Sequence, residues 1–263
     1  MEKIKHITLL TDFGNKDPYV AEIKGVLFSA LPNISIIDLS HEISPQNIIE
    51  GALFLERMWE YWQIPSIHIA IIDPGVGTER RILLIHENQK FLICPDNGVA
   101  TFVIKNKHAE ARHVTYFETA NQLISNTFHG RDIMAPLAIQ LARGGNCEDF
   151  GHIVDDFQLI HIPCVDIKDN YIYGEVIHID HFGNAVTNIK REHLQGCTPL
   201  YARIKGGLKK IPFSSSYGKV CIGQALCLFG SGNRLEIAVN CGSAEKQLKV
   251  KIGTKILLIL NRD

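Results

Sequence analysis

Five short polar segments stand out in this sequence because each combines glycine with acidic, basic or imidazole side chains. Such side chains can activate water, bind a metal ion or recognise a polar ligand. The segments are TDFGNKD at 11–17, DPGVGTERR at 73–81, PDNG at 95–98, FHGRD at 128–132 and IDHFGNAVTN at 179–188. Taken singly, each is more typical of a turn, because glycine accepts positive φ and aspartate caps neighbouring amides. Only their combination can therefore indicate a function.

Two familiar phosphate-binding functions are excluded by what surrounds these segments. Asp12-Phe13-Gly14 matches the DFG triplet of protein kinases, but the sequence has no HRD loop before it, no glycine-rich loop and no strand lysine. The segment GVGTER lacks the Lys-Ser/Thr ending of a P-loop and does not match the GxGxxG fingerprint. Neither kinase chemistry nor dinucleotide binding is predicted.

An oxygen-rich metal site is an alternative that the residue types leave open. Carboxylates with one histidine are ligands that suit Mg²⁺ or Mn²⁺. The candidate ligands are Asp12, Asp73, Asp96, His129 and Asp132. The spacing contains no local ligand pair such as His-x-Asp or His-x-x-x-His, and a lone histidine is more often structural. A metal-dependent hydrolase is therefore a secondary hypothesis.

The segments that must position these side chains alternate between strand-like and helix-like patterns in the first half of the chain. The predicted elements are a strand at 4–10, a helix at 17–31, a strand at 35–39, a helix at 47–62 and a strand at 67–72. This order is typical of an α/β fold with a largely parallel sheet covered by helices. In such sheets ligands bind beyond the carboxyl ends of the strands, and Asp12 and Asp73 both follow predicted strands.

The pattern changes after about residue 163, where short alternating or β-branched segments are separated by Gly, Asn or Ser. Such segments predict a small antiparallel β domain. We therefore predict an N-terminal α/β domain at 1–163 and a C-terminal β domain at 164–263. A chain of 263 residues suits one large domain or two modest ones.

Composition and charge exclude several classes of partner. Hydrophobic residues make up 46% and charged residues 21% of the chain, and the net charge of −1 provides no basic surplus for nucleic acid or an acidic membrane. No apolar run approaches the roughly 18–20 residues of a membrane span, and the first residues do not form a signal peptide. The seven cysteines contain no Cys-x-x-Cys pair, and their odd number argues against a disulfide framework. We predict a soluble, cytoplasmic protein with reduced thiols and no nucleic-acid or membrane partner.

Taken together and in order, the five segments resemble the S-adenosylmethionine hydroxide adenosyltransferase family, whose relatives include the fluorinases and chlorinases. The resemblance covers nearly the whole chain. It implies an enzyme that attacks S-adenosylmethionine with water-derived hydroxide and releases adenosine and methionine, with no metal or other cofactor. It also implies that the C-terminal domain is an antiparallel β-barrel, which agrees with the pattern of short strands.

The resemblance further implies which residues act. Asp73, Arg80 and His129 would be a catalytic triad that holds and activates one water molecule. The implied substrate-binding residues are Asp12 at the ribose hydroxyls, Asp17 and Asp180 at the methionine ammonium, Ser231 near its carboxylate, Phe182 stacked on the adenine, Asn184 at the adenine edge, and Glu236 and Val239 at the rim of the adenine pocket.

A homotrimer is the assembly that the resemblance implies. The catalytic candidates lie in the first predicted domain and the adenine-binding candidates lie in the second, with only a short connection near 160–168. A head-to-tail ring in which each β domain covers its neighbour's strand ends would complete the active sites between subunits. The alternative is that each chain builds its own site.

Two departures separate this chain from the halogenating relatives. Those enzymes carry tyrosine and serine where this chain has Asp73 and Gly130. They also contain an insertion for which the stretch 82–105 is too tight. These differences favour water as the nucleophile. Halide-dependent attack on the same substrate, and a module that binds S-adenosylmethionine or adenosine without turnover, remain open as alternatives.

Overall fold

The structure of the protein is a computed structural model that describes residues 3–105, 108–115, 124–204 and 210–261. The chain divides into two compact units, Met1–Ile160 and His161–Asp263. Within the described ranges, no helix has the length and apolar character needed to cross a membrane.

The first unit is built around a seven-stranded sheet with the order β2-β1-β3-β5-β4-β6-β7. Its strands are β1 His6–Thr11, β2 Ser35–Ser40, β3 Ser66–Ile71, β4 Ile82–Glu87, β5 Lys90–Pro95, β6 Glu110–Val114 and β7 Gly151–Ile153. The neighbours β2, β1, β3 and β5 pair in parallel, whereas β4 is antiparallel to both β5 and β6, and β7 is antiparallel to β6. Five strands therefore run in one direction and β4 and β7 run in the other.

Helices cover both faces of this sheet, which explains why every residue of β3 is buried. They are α1 Tyr19–Ala30, α2 Ile48–Trp59, α3 Thr101–Ile104 and α4 Ala135–Ala142. Residues Ile67 and Ile69 of β3 pack in the core that also contains Ile23 of α1 and the apolar face of α4. Ala70 points to the opposite core with Leu55 of α2. A π-helical turn, Gly130–Met134, leads directly into α4.

The second unit is a β-barrel of short, mostly antiparallel strands with the order β12-β11-β15-β9-β10-β14-β13, and β8 pairs with β9. Its strands are β8 Asp166–Lys168, β9 Tyr171–Ile179, β10 Ala185–Lys190, β11 Thr198–Ile204, β12 Ile211–Pro212, β13 Ala225–Phe229, β14 Arg234–Val239 and β15 Lys255–Asn261. A parallel bridge between Phe213 and Cys227 connects the β12 end of this path to β13, and the short helix α5, Ala244–Leu248, packs against β14.

The predicted fold class, an α/β domain with a largely parallel sheet followed by an antiparallel β-barrel domain, is confirmed. Local chemistry explains the helix starts. Pro18 stands before the first residue of α1, and the Asn47 side chain accepts the backbone N–H of Glu50 at 3.1 Å as the N-cap of α2.

Candidate active site

The carboxyl ends of the parallel strands bring two of the predicted acids to one edge of the first sheet. β1 and β3 are neighbours, with Thr11 opposite Ile71 at the end of their register. Asp12 follows β1 directly, and Asp73 comes two residues after β3. This edge is where an open α/β sheet binds its ligands.

Asp73 and Arg80 form a bidentate ion pair across the loop that joins β3 to β4. The Nε of Arg80 lies 2.9 Å from both carboxylate oxygens of Asp73, and Nη2 lies 2.5 Å from Oδ2. The side chains are only 8% and 5% exposed for Arg80 and Asp73 respectively. The pair is therefore far better shielded from water than a surface salt bridge, and its geometry is the bidentate one that arginine favours.

His129 completes the cluster from a distant part of the chain. It precedes the π-helical turn that leads into α4, and its Nδ1 lies 2.9 Å from Nη2 of Arg80. A guanidinium carries only donors, so Nδ1 is the acceptor and the proton of the neutral imidazole is on Nε2. Burial, together with the positive charge of Arg80, lowers the pKa of His129 below its ordinary value. The site thus holds a neutral histidine whose N–H donor is at Nε2.

A close contact between two loops fixes this arrangement. Gly77 has φ +79°, and a Cβ at that position would lie 2.2 Å from the carbonyl oxygen of Asn126. Only glycine allows the two backbones to approach so closely. The contact holds the loop that carries Arg80 against the segment that leads to His129.

The other two candidate metal ligands, Asp96 and Asp132, are engaged elsewhere. Arg81 binds Asp96 through Nε at 2.8 Å, and Arg131 binds Asp132 through Nε at 2.7 Å. The hydrogen bond from Arg131 is the largest contribution that lowers the pKa of Asp132. In the part of the chain that the structure describes, no three His, Cys, Asp or Glu side chains are grouped so that they could hold a metal ion.

Asp12 and Asp17 lie on either side of the turn between β1 and α1. The Oδ2 atom of Asp12 accepts the backbone N–H of Gln46 at 2.7 Å, which orients the carboxylate at the strand edge. Asp17 is exposed, two residues before α1. The Asp12 carboxylate is therefore oriented by a hydrogen bond, and Asp17 is accessible to a charged ligand.

Aromatic rings surround this turn, although sequence reasoning did not select them. Phe13, Tyr19 and Phe128 form a triangle with ring centroids 5.5–5.9 Å apart. Phe13 and Phe128 both belong to polar segments singled out above, so their position beside Asp12 and His129 in the sequence was the available signal. The rings form an aromatic cluster that includes the sequence neighbours of Asp12 and His129.

In the second unit, Asp180 organises the loop between β9 and β10. Its Oδ1 accepts the backbone N–H groups of Phe182 and Asn184 at 2.9 and 2.8 Å, and its Oδ2 accepts the Asn184 side-chain amide at 3.0 Å. Asn184 is buried, whereas the Phe182 ring is 74% exposed. A rigid loop therefore presents an aromatic ring to solvent, a geometry suited to stacking on a planar ligand.

The remaining predicted binding residues belong to the β13–β14 hairpin. Ser231 is exposed just after β13, and Val239 is buried at the end of β14. Glu236, in the same strand, is 9% exposed and accepts the hydroxyl of Tyr217 at 2.7 Å. The two ends of this hairpin thus carry one exposed serine and one buried apolar residue, with the Glu236 carboxylate between them.

Comparison with known proteins matches both units. Residues 7–151 match the SAM hydroxide adenosyltransferase N-terminal domain, and residues 174–257 match the SAM hydroxide adenosyltransferase C-terminal domain. A Thermus thermophilus protein named (R)-S-adenosyl-L-methionine hydrolase is 31% identical over 267 residues, covering 97% of this chain and 100% of that protein. A Methanocaldococcus jannaschii protein of the same name is 33% identical over 265 residues, covering 96% and 95%.

More distant and structural relatives agree with this match. A fluorinase of Nocardia brasiliensis is 26% identical over 285 residues, covering 95% of each chain. The crystal structure of an uncharacterized conserved protein from Thermotoga maritima is similar with a TM-score of 0.88 at 31% identity, covering 96% of this chain and 99% of that one.

Proposed function

This chain belongs to the SAM hydroxide adenosyltransferase family, and we propose that it hydrolyses S-adenosyl-L-methionine to adenosine and L-methionine by attack of an activated water molecule on C5′. The observation that carries the proposal is the shielded cluster of Asp73, Arg80 and His129. In this cluster Arg80 connects the Asp73 carboxylate to the His129 imidazole.

The cost of making hydroxide sets what this cluster must do. Water has a pKa of about 15.7, so free hydroxide at pH 7 costs roughly 12 kcal/mol, at 1.36 kcal/mol per pH unit. A carboxylate has about four acceptor positions. Arg80 makes three contacts with the Asp73 carboxylate, which leaves a position to accept a proton from water. The guanidinium stays charged throughout and stabilises the anionic oxygen as it forms.

His129 has a narrower role than its type alone allows. A histidine can either relay a proton or hold a lone pair of the water oxygen. Because Nδ1 accepts from Arg80, the other ring nitrogen, Nε2, carries the N–H of the neutral imidazole and is a donor. In our proposal His129 orients the water through this donor, and Asp73 takes the proton.

The substrate supplies the remaining driving force. The water oxygen forms a bond to C5′ while the C5′–S bond breaks. The electron pair of the C5′–S bond stays on sulfur and converts the positive sulfonium to the neutral thioether of methionine. Hydroxide and sulfonium thereby cancel each other's charge, a change that a dry site favours. Holding the oxygen in line with the C5′–S bond contributes further.

The substrate-binding residues are proposed for the groups that the family resemblance assigns to them. Support comes from their state in the structure: Asp12 is oriented by Gln46, Asp17 is exposed, and the Phe182 ring is presented by a rigid loop. Asp180, Asn184, Ser231, Glu236 and Val239 retain their assigned roles in this proposal. Asp180 already accepts three hydrogen bonds from its own loop, so an ammonium group would use its remaining acceptor capacity.

Water rather than halide is the nucleophile in this proposal. A halide would approach the carboxylate of Asp73, and like charges repel. The serine of the halogenating relatives is replaced by Gly130, where an added Cβ would lie 2.6 Å from Cδ1 of Ile71, so a serine would require Ile71 to move. We expect no 5′-halogenated nucleoside at high chloride or fluoride.

A homotrimer and a cytoplasmic location are also part of the proposal. In the trimer, the catalytic residues of one subunit would act with adenine-binding residues from its neighbour. Mixing Asp73→Ala with Asn184→Ala protein after dissociation should then restore part of the activity. No recovery in verified mixed oligomers would mean that each chain builds its own site.

The proposed cytoplasmic location is supported by the state of the cysteines. All seven are free, as a reducing compartment requires.

Product analysis in ¹⁸O-labelled water tests the proposed reaction. We expect adenosine and L-methionine in equal amounts, with the label at the 5′-oxygen of adenosine and a rate that chelators do not change. Unlabelled adenosine would contradict the proposed attack. A halogenated nucleoside would indicate the halide reaction, binding without products would indicate a binding module, and loss of activity restored by Mn²⁺ would indicate a metal-dependent hydrolase.

A further inference from the structure

The loop from Asp73 to Arg80 crosses the carboxyl end of β5. This loop joins β3 to β4, and β5 lies between these two strands in the sheet. The chain that follows β5 begins with Asp96 and Asn97, two residues of the PDNG segment that the proposed reaction does not use. These two residues therefore lie where the loop must pass.

Asn97 holds the loop on the β3 side. Its Nδ2 donates to the carbonyl oxygen of Ile72 at 2.8 Å, and its Oδ1 accepts the backbone N–H of Val99 at 3.1 Å. Ile72 is fully buried and immediately precedes Asp73. A buried carbonyl without a partner is costly, so this hydrogen bond fixes the backbone from which the Asp73 side chain extends.

Asp96 holds the loop on the β4 side. Its Oδ2 accepts Nε of Arg81 at 2.8 Å, its Oδ1 accepts the backbone N–H of Gln158 at 2.7 Å, and its own N–H donates to the Arg81 carbonyl at 2.9 Å. Asp96 is 3% exposed. Arg81 immediately follows Arg80, so both ends of the loop are held one residue outside the ion pair.

We propose that Asp96 and Asn97 are positioning residues that hold the two ends of this loop and thereby set the contacts of Arg80 with Asp73 and His129. Neither residue acts on the substrate. The catalytic consequence rests on the proposed function, whereas the geometric consequence can be measured without turnover.

Asn97→Ala is the principal test because it changes no charge. Release of the Ile72 carbonyl should let Arg80 move away from His129. Burial is the largest cause that lowers the pKa of His129, and of the charged groups around the imidazole Arg80 lowers this pKa further whereas Asp73 and Asp132 raise it. We therefore expect the pKa of His129, followed by NMR, to rise toward its ordinary value. We also expect kcat to fall by about 10- to 100-fold, with KM changed much less.

Two further variants separate positioning from general stability. Asp96→Asn, which keeps the size of the side chain, should change the His129 pKa and kcat in the same directions. Thr101→Val is the matched control: the fully buried Thr101 hydroxyl donates to the Gly98 carbonyl at 2.7 Å and accepts the Ile160 N–H at 2.8 Å, and neither partner belongs to the loop. It should lower Tm and leave both the His129 pKa and kcat unchanged.

Two results would overturn the inference. One is a wild-type His129 pKa and kcat in Asn97→Ala. The other is the same change in Thr101→Val as in Asn97→Ala. If the wild-type protein does not turn over S-adenosylmethionine, the proposed function fails, and the comparison of His129 pKa values among these variants still decides whether Asp96 and Asn97 position Arg80.

Discussion

Replacing Arg80 with lysine separates the charge of this residue from its shape. The charge remains, but the planar fork that contacts both oxygens of Asp73 and Nδ1 of His129 is lost. A lysine ammonium is a compact charge on a flexible stem, and it cannot reproduce the fixed fork that makes these contacts together. If the proposed mechanism is correct, Arg80→Lys should bind the substrate and fail to orient the water.

The structure gives the size of the expected effect. A hydrogen bond to a charged group contributes about 1.5–3 kcal/mol. Arg80→Lys keeps the ion pair with Asp73 through one nitrogen but loses the second prong and the contact with His129. A loss of about 3 kcal/mol in the transition state corresponds to a fall in kcat on the order of 10²-fold. KM should change much less, because the proposed adenine and methionine contacts lie elsewhere.

Steady-state kinetics at saturating substrate, with Tm measured in parallel, provides the assay. Arg112→Lys is a matched control, because Arg112 is also buried and binds a carboxylate, Glu110, through Nε at 2.9 Å, but it lies in β6. We expect this control to lose stability and to retain its kcat. An Arg80→Lys enzyme with the wild-type kcat would refute the fork argument, as would an equal loss of kcat in the control.

The remaining predictions concern other parts of the same unit. Asp73→Ala and His129→Ala should each lower kcat by about 10²- to 10⁴-fold, measured by the release of adenosine, with a smaller change in KM. Asp12→Ala should instead raise KM more than it lowers kcat, because the proposed contact is with the ribose. Stability should fall in acid through His68, since burial lowers its pKa from 6.5 to about 3. Between pH 3 and pH 6.5 His68 binds a proton only in the unfolded chain. The stability that comes from burying neutral His68 is therefore complete above pH 6.5 and is lost as the pH falls toward 3. At about 1.36 kcal/mol per pH unit, the loss is about 2 kcal/mol at pH 5. Urea unfolding at pH 7 and pH 5 measures it, and an equal loss in His68→Gln would show that another group is responsible.

The fold class follows from the sequence because the spacing of apolar residues within each segment indicates which of its faces is buried. The alternation of strand-like and helix-like segments before residue 163 predicted helices on both faces of a sheet, and β3 is buried along its whole length. The same pattern placed Asp12 and Asp73 after strands, so their position at one sheet edge was predictable. The division of the chain at 163/164 stays a prediction; the contacts in the structure separate its two compact units after Ile160.

The burial and hydrogen-bond contacts of the candidate site residues were not predictable from their spacing in the sequence. Asp73 and Arg80, seven residues apart, are equally typical of a surface salt bridge, which contributes under about 1 kcal/mol. It was the family resemblance that selected them, together with His129 and the binding residues of the second unit. Asn97 passed as an ordinary turn residue, because nothing in PDNG indicates that its amide reaches the Ile72 carbonyl.

The sequence by itself thus determined the layers, the strand ends and the residue types available there. Tertiary structure alone decided that the Asp73–Arg80 pair is shielded and that Arg80 reaches a histidine 49 residues away. It also decided which imidazole nitrogen carries the proton. The physical reason is that hydrophobic periodicity records only which face of an element is buried. Dielectric environment and hydrogen-bond partners depend on segments distant in sequence, such as the Asn126 backbone that approaches Gly77.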